Sequence, residues 1–145
     1  MGKQAATSLS VLLWAFTACS SANLTNNYSS SLNYAQVTKV SAIEQTENTW
    51  CFHTQVRHND QGWNHYADHW EVIDLNGNVL GQRPLAHPHD NEQPFTRSQC
   101  GIKIPNRIKE VVVRAKCNHH GYEGKQVLVN LMQAKGDHFS VKRRQ

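Results

Sequence analysis

The sequence predicts an all-β fold: a single seven-stranded β-sandwich behind an N-terminal export signal and a flexible tether. Three observations predict it. Apolar and polar residues alternate in seven short segments after residue 34, the pattern of strands buried on one face. Asn76-Gly77 separates two of these segments and is the dipeptide that tight hairpin turns demand. No stretch of useful length in the same region repeats apolar residues at helical spacing. A length of 145 residues suits one domain, and 39% hydrophobic with 18% charged residues is globular rather than disordered composition.

The N-terminus reads as an export signal over residues 1–18. Lys3 supplies the positive region, and Val11-Leu12-Leu13-Trp14-Ala15-Phe16 lies in an apolar stretch too short to span a membrane comfortably. Phe16-Thr17-Ala18-Cys19 resembles the bacterial lipobox, although Phe16 stands where Leu is usual. That resemblance implies diacylation of Cys19 and, since Ser20 rather than Asp follows it, an outer-membrane address facing the periplasm. Ordinary cleavage after Ser20-Ser21-Ala22 is the alternative and would give a soluble periplasmic or secreted protein. Residues 19–33 are rich in Ser and Asn and suit a tether.

The sandwich is expected over residues 34–133. A first strand covers 36–45. A second, 49–58, alternates Trp50, Phe52, Thr54 and Val56 against Cys51, His53, Gln55 and Arg57. A third, 69–75, carries Trp70 and Val72 on one face, and 78–85 returns after Asn76-Gly77. A fifth runs 94–104, closed by Pro105. A sixth, 110–117, sets Val111, Val113, Ala115 and Cys117 against Val112, Arg114 and Lys116. A seventh, 125–132, presents Val127, Val129 and Leu131. Residues 134–145 are left as a basic tail.

Seven short strands with a Trp on the third resemble an immunoglobulin or fibronectin type III sandwich. A more specific pattern comprises Gly62-Trp63, Tyr66-Ala67-Asp68, Trp70, His87-Pro88-His89 and Glu92-Gln93-Pro94-Phe95-Thr96-Arg97-Ser98. It is similar to a family of small exported bacterial proteins, a resemblance that implies one compact domain and carries no activity.

The fibronectin-like topology gathers histidines. Loops after the second, fourth and sixth strands would share one pole, bringing together His58, His65, His69, His87, His89, His119 and His120, seven of the nine histidines. Cys117 and several carboxylates join them. Neutral imidazole with a thiolate is a Zn or Cu donor set, so His87, His89, His119, His120 and Cys117 are the candidate metal ligands. The alternative is a structural polar network, with Arg97 pairing Asp68 or Glu92, or a surface for a polar ligand or envelope protein partner.

Cysteine placement adds a crosslink. Cys51 and Cys100 fall at matched depth on neighbouring antiparallel strands and both face away from the core, which predicts a disulfide permitted by export. Cys117 then stays free. Cys117 beside a histidine also admits a thiol enzyme, but no nucleophile elbow, phosphate loop or HExxH is present, so a non-enzymatic role is expected. The net charge of +4 is scattered apart from Lys142-Arg143-Arg144, which argues against nucleic acid as a partner. The expected partner is the membrane, through the lipid.

Overall fold

The computed structural model describes Gly2 and residues 28–145. The export signal and Cys19 lie outside the described residues. The chain forms strands β1 (Gln36–Thr46), β2 (Thr49–Arg57), β3 (Ala67–Ile73), β4 (Val79–Pro84), β5 (Phe95–Lys103), β6 (Glu110–Cys117), β7 (Val127–Asn130) and β8 (Phe139–Lys142). They make two four-stranded sheets, ordered β5-β2-β1-β8 and β4-β3-β6-β7, with no helix among the described residues.

The core lies between the sheets because the alternation aims every second side chain inward. Trp50, Phe52 and Val56 of β2 meet Trp70 and Val72 of β3, Val111, Val113 and Ala115 of β6, and Val127 and Val129 of β7. Trp70, Phe52 and Phe95 are the largest fully buried side chains. Each such burial stabilises by roughly 1.5–3 kcal/mol, which makes this layer the main source of stability.

The strand count differs from expectation: there are eight, not seven. The extra strand, β8, lies within residues 134–145, for which the sequence predicts a tail outside the domain. It runs parallel to β1, pairing Val40 with Phe139 and Ala42 with Val141. Val141 is buried in the core, and Val141 N donates to Ala134 O. Four residues carrying only Phe139 and Val141 as apolar positions give too short an alternation to signal a strand. The pairing partner, far away in sequence, supplies the missing reason.

The Cys51–Cys100 disulfide joins β2 to β5. The register explains how. Trp50 pairs with Ile102 and Phe52 with Gln99, so one extra residue bulges on β5 beside Cys51. Gly101 sits in the bulge at φ +74°, a left-handed conformation that glycine adopts without a Cβ clash. Gly124 is required for space rather than dihedral: a Cβ there would lie 1.9 Å from Ala35 O. That contact lets the β6–β7 loop close on the entry to β1, where Val37 N donates to Lys125 O and Lys125 N to Gln36 Oε1.

Candidate functional site: a histidine-rich pole

Three connections converge at one end of the sandwich: β2–β3, β4–β5 and β6–β7. Their side chains tie them together. Gly62 N donates to Asp90 Oδ1 at 3.0 Å, and His58 N donates to Gln93 Oε1 at 3.0 Å. Asn118 spans to the first loop, accepting from Tyr66 N at 3.0 Å and donating to Trp63 O at 3.1 Å.

Asp60 is the hub. It is buried, and its Oδ1 accepts from His58 Nδ1 at 2.6 Å and Ala67 N at 3.1 Å. Its Oδ2 accepts from His89 N at 2.6 Å. Burial alone would raise this carboxyl, but the hydrogen bonds from His58, His89 N and Ala67 N together outweigh it and hold Asp60 below its usual range. One carboxylate thus ties both ends of the β2–β3 connection to the middle of the β4–β5 connection.

His58 lies on this hub through Nδ1, leaving Nε2 directed at Asn33 O, 3.1 Å away. His65 Nε2 reaches the same carbonyl at 3.3 Å. The sequence predicts a flexible tether over residues 19–33, yet Asn33 O is bound here and Leu32 O accepts from Asn59 N. Cys117, fully buried at the end of β6, completes a trio: ligand atoms of His58, His65 and Cys117 all lie within 4.8 Å of one another. His120 Nδ1 stands beside them, 3.2 Å from His65 Nε2 and 3.7 Å from Cys117 Sγ. Burial lowers the His65 imidazole first of all. The Asn33 carbonyl opposes that shift, and the positive potential of His58, His120 and His119 adds to it. The net shift favours the neutral imidazole, the form that binds a metal.

The expected ligands divide into two groups. Cys117 is itself a member of the trio, His120 stands beside it, and His119 flanks it, its ring 5.8 Å from that of His65. His87 and His89 sit apart. Their rings lie 4.5 Å apart, tilted by 37°, and His89 stacks on Phe95 at 3.9 Å. Among the described residues neither makes a hydrogen bond or ring contact with His119, His120 or Cys117. Burial lowers the His89 imidazole, aided by Arg97 and His87 and opposed by Asp60 and Glu92. The loop argument places His58 and His65 at the pole but not among the ligands. The available signal was Asp60: His58-Asn59-Asp60 on an extended chain puts a carboxylate and an imidazole on one side.

The supporting residues also resolve. Arg97 pairs with Glu92 through two contacts, at 2.9 and 3.2 Å, with its guanidinium 5.6 Å over Phe95. Asp68 does not join them. It approaches His69 Nδ1 at 2.8 Å and Lys116 Nζ at 3.2 Å on the outer face of the second sheet. There His69 shares a 2.5 Å hydrogen bond with the Tyr122 hydroxyl, and burial, with Glu71 behind it, pushes that phenol up to about 12.

No protein-family model matches the chain, and no solved structure matches it. The chain is 42% identical over 79 residues to a protein of Halomicrobium mukohataei named "Putative lipoprotein". The match covers 54% of this chain and 38% of that protein, so the chain spans well under half the length of the relative. No helix among the described residues is long and apolar enough to cross a membrane.

Proposed function

We propose that the protein is an envelope lipoprotein, anchored by a diacylated Cys19 at the outer membrane facing the periplasm. Its sandwich is a non-enzymatic binding module of fibronectin type III kind that holds a transition metal ion, Zn or Cu, at the histidine pole. The lipobox-like Phe16-Thr17-Ala18-Cys19 and the lipoprotein relative support the anchor. The strand orders β5-β2-β1 and β4-β3-β6-β7 support the architecture.

One observation carries the metal reading: His58, His65 and Cys117, from one connection and a distant strand end, present their ligand atoms within 4.8 Å of one another. Two imidazoles and a thiolate suit Zn or Cu and suit hard cations poorly. The Asp60–His58 pair is the carboxylate–histidine arrangement that orients an imidazole for a metal. His120 is placed to be a fourth ligand. Binding would exchange the Asn33 carbonyl for the ion as the partner of His58 and His65.

Titration of Co²⁺ and Zn²⁺ into the reduced protein tests this. Co²⁺ should develop a thiolate charge-transfer band that Zn²⁺ bleaches. Cys117→Ser should abolish the band and His65→Ala weaken binding at least tenfold, whereas His87→Ala should leave it unchanged. Wild-type affinity in both Cys117→Ser and His65→Ala would overturn the reading. A protein partner is the second reading, favoured by Trp63, which is 64% exposed at the same pole and packs edge-on against Tyr66.

A further inference from the structure

The outer face of the first sheet holds a group of sulfur and imidazole side chains that the pole does not use. Cys51 and Cys100 form the disulfide, and they are unequally placed: Cys51 is buried, 4% exposed, whereas Cys100 is open to solvent. His53, two residues along β2, points to the same face. Its Nε2 lies 3.7 Å from Cys51 Sγ and its Nδ1 lies 2.5 Å from Ser98 Oγ on β5. The strand register brings the second contact about, since His53 pairs directly with Ser98 across the β2–β5 ladder.

The chemistry of the sulfur decides the proton positions. A disulfide sulfur carries no proton, so the Cys51–His53 contact is a hydrogen bond only if Nε2–H donates. Nδ1 is then the acceptor, and the Ser98 hydroxyl donates to it. Ser98, whose hydroxyl can donate to Nδ1, accommodates the tautomer that aims an N–H at one of the two bridge sulfurs. That donor is worth little to the neutral disulfide. It is worth more to a thiolate, because hydrogen bonds to charged acceptors are roughly twice as strong.

We propose that the Cys51–Cys100 bridge is a thiol–disulfide exchange site for a dithiol reductant, with Cys100 as the attacked sulfur and Cys51 as the leaving sulfur stabilised by His53. One thiolate of the dithiol attacks Cys100 Sγ, the accessible sulfur. The new S–S bond forms to Cys100 while the Cys51–Cys100 bond breaks, and its electron pair leaves on Cys51 as a thiolate held by His53 Nε2–H. The second thiol of the reductant then attacks its own sulfur in the mixed disulfide and releases Cys100. The dithiol ends oxidised, and Cys51 and Cys100 end as thiols, so two electrons and two protons pass to the protein. Exchange proceeds faster when the leaving thiolate is stabilised and the attacked sulfur is accessible, and here each requirement falls on a different cysteine. A bridge kept only for stability has no need of this asymmetry. The site is separate from the metal pole, and its chemistry does not depend on the occupant of that pole.

Glutathione trapping of the full-length, metal-free protein under native conditions tests the assignment, with peptide mapping to locate the adduct. The adduct is expected on Cys100, with alkylatable thiol appearing at Cys51. Reduction by dithiothreitol at pH 7 should slow about threefold to tenfold in His53→Ala, partly recover in His53→Gln, which keeps an N–H donor, and slow to a smaller extent in Ser98→Ala. Ser98→Ala retains the imidazole and serves if His53→Ala does not fold. An adduct on Cys51 or on both cysteines equally would overturn the proposal. So would unchanged rates in the folded His53→Ala and Ser98→Ala variants, or reduction that needs denaturant.

Discussion

Replacing Asp60 by Asn removes one charge and one acceptor oxygen from the centre of the pole while leaving the shape of the side chain. Asp60 serves three donors: His58 Nδ1 and Ala67 N on Oδ1, and His89 N on Oδ2. An amide has a single oxygen. Placed at the Oδ1 position it leaves an NH₂ group facing the His89 N–H, and flipped it faces His58 and Ala67 instead. At least one buried donor is therefore orphaned, at about 1–3 kcal/mol. The remaining bond from His58 also loses its ionic acceptor and about half its strength. The expected loss is about 2–4 kcal/mol, a large part of a small domain's stability of roughly 5–15 kcal/mol. Urea denaturation of chelator-treated protein measures it. The pH dependence supplies a second reading. The Asp60 carboxyl is held below its ordinary value in the folded protein, so the unfolded state binds the proton first as pH falls. Its contribution is complete above the unfolded pKa of about 3.9 and is lost as pH drops through the folded value. The amide of the Asp60→Asn variant has nothing to protonate, so the gap between wild type and variant should narrow below about pH 4. A gap under about 1 kcal/mol at pH 7, or one that is constant down to about pH 2, would refute the hub.

Three further outcomes follow from the same structure. Gly124→Ala should destabilise by about 3 kcal/mol or more, because its Cβ meets backbone at Ala35 O, which cannot rotate away; a thermal shift within error of wild type would show that the β6–β7 loop is not pinned there. The double change Cys51→Ala/Cys100→Ala should lower stability by about 2–4 kcal/mol, the loop-entropy limit for a sequence separation of 49; denaturation in the presence and absence of reductant measures it, and an unchanged midpoint would count against the bridge. Cys19→Ala should move the protein from the membrane to the soluble fraction; wild-type protein released by buffer alone, with Asn23 at its N-terminus, would instead establish cleavage after Ala22.

Much of the fold was legible because strand periodicity is local. The side chains on one face of β2 or β6 are two residues apart, and the alternation Val111, Val113, Ala115, Cys117 against Val112, Arg114, Lys116 states the inward face outright. The hairpin between β3 and β4 was marked by Asn76-Gly77, and Gly77 does adopt φ +86°. The Cys51–Cys100 bridge also followed from depth along two neighbouring strands. The convergence of three loops was legible once strand order was assumed, since alternate connections of such a sandwich share one end.

Partner choice within the pole was not legible. Sequence places His58, His65, His87, His89, His119 and His120 near one another, but loop conformation decides which nitrogen meets which atom. Buried Asp60 draws His58 and the His89 backbone to itself, stacking on Phe95 holds the His89 ring to one side, and His65 turns toward His120 and Cys117. Arg97 was equally open to Asp68 or Glu92 until the register set β3 beside β6, with Asp68 within reach of Lys116 and away from β5. β8 depended wholly on tertiary structure, because four residues hold strand conformation only by completing a ladder on β1. Backbone periodicity repeats along the chain and is written in nearest-neighbour order. Side-chain pairing in loops and parallel edge pairing depend on atoms brought together from distant positions, and only the folded geometry specifies them.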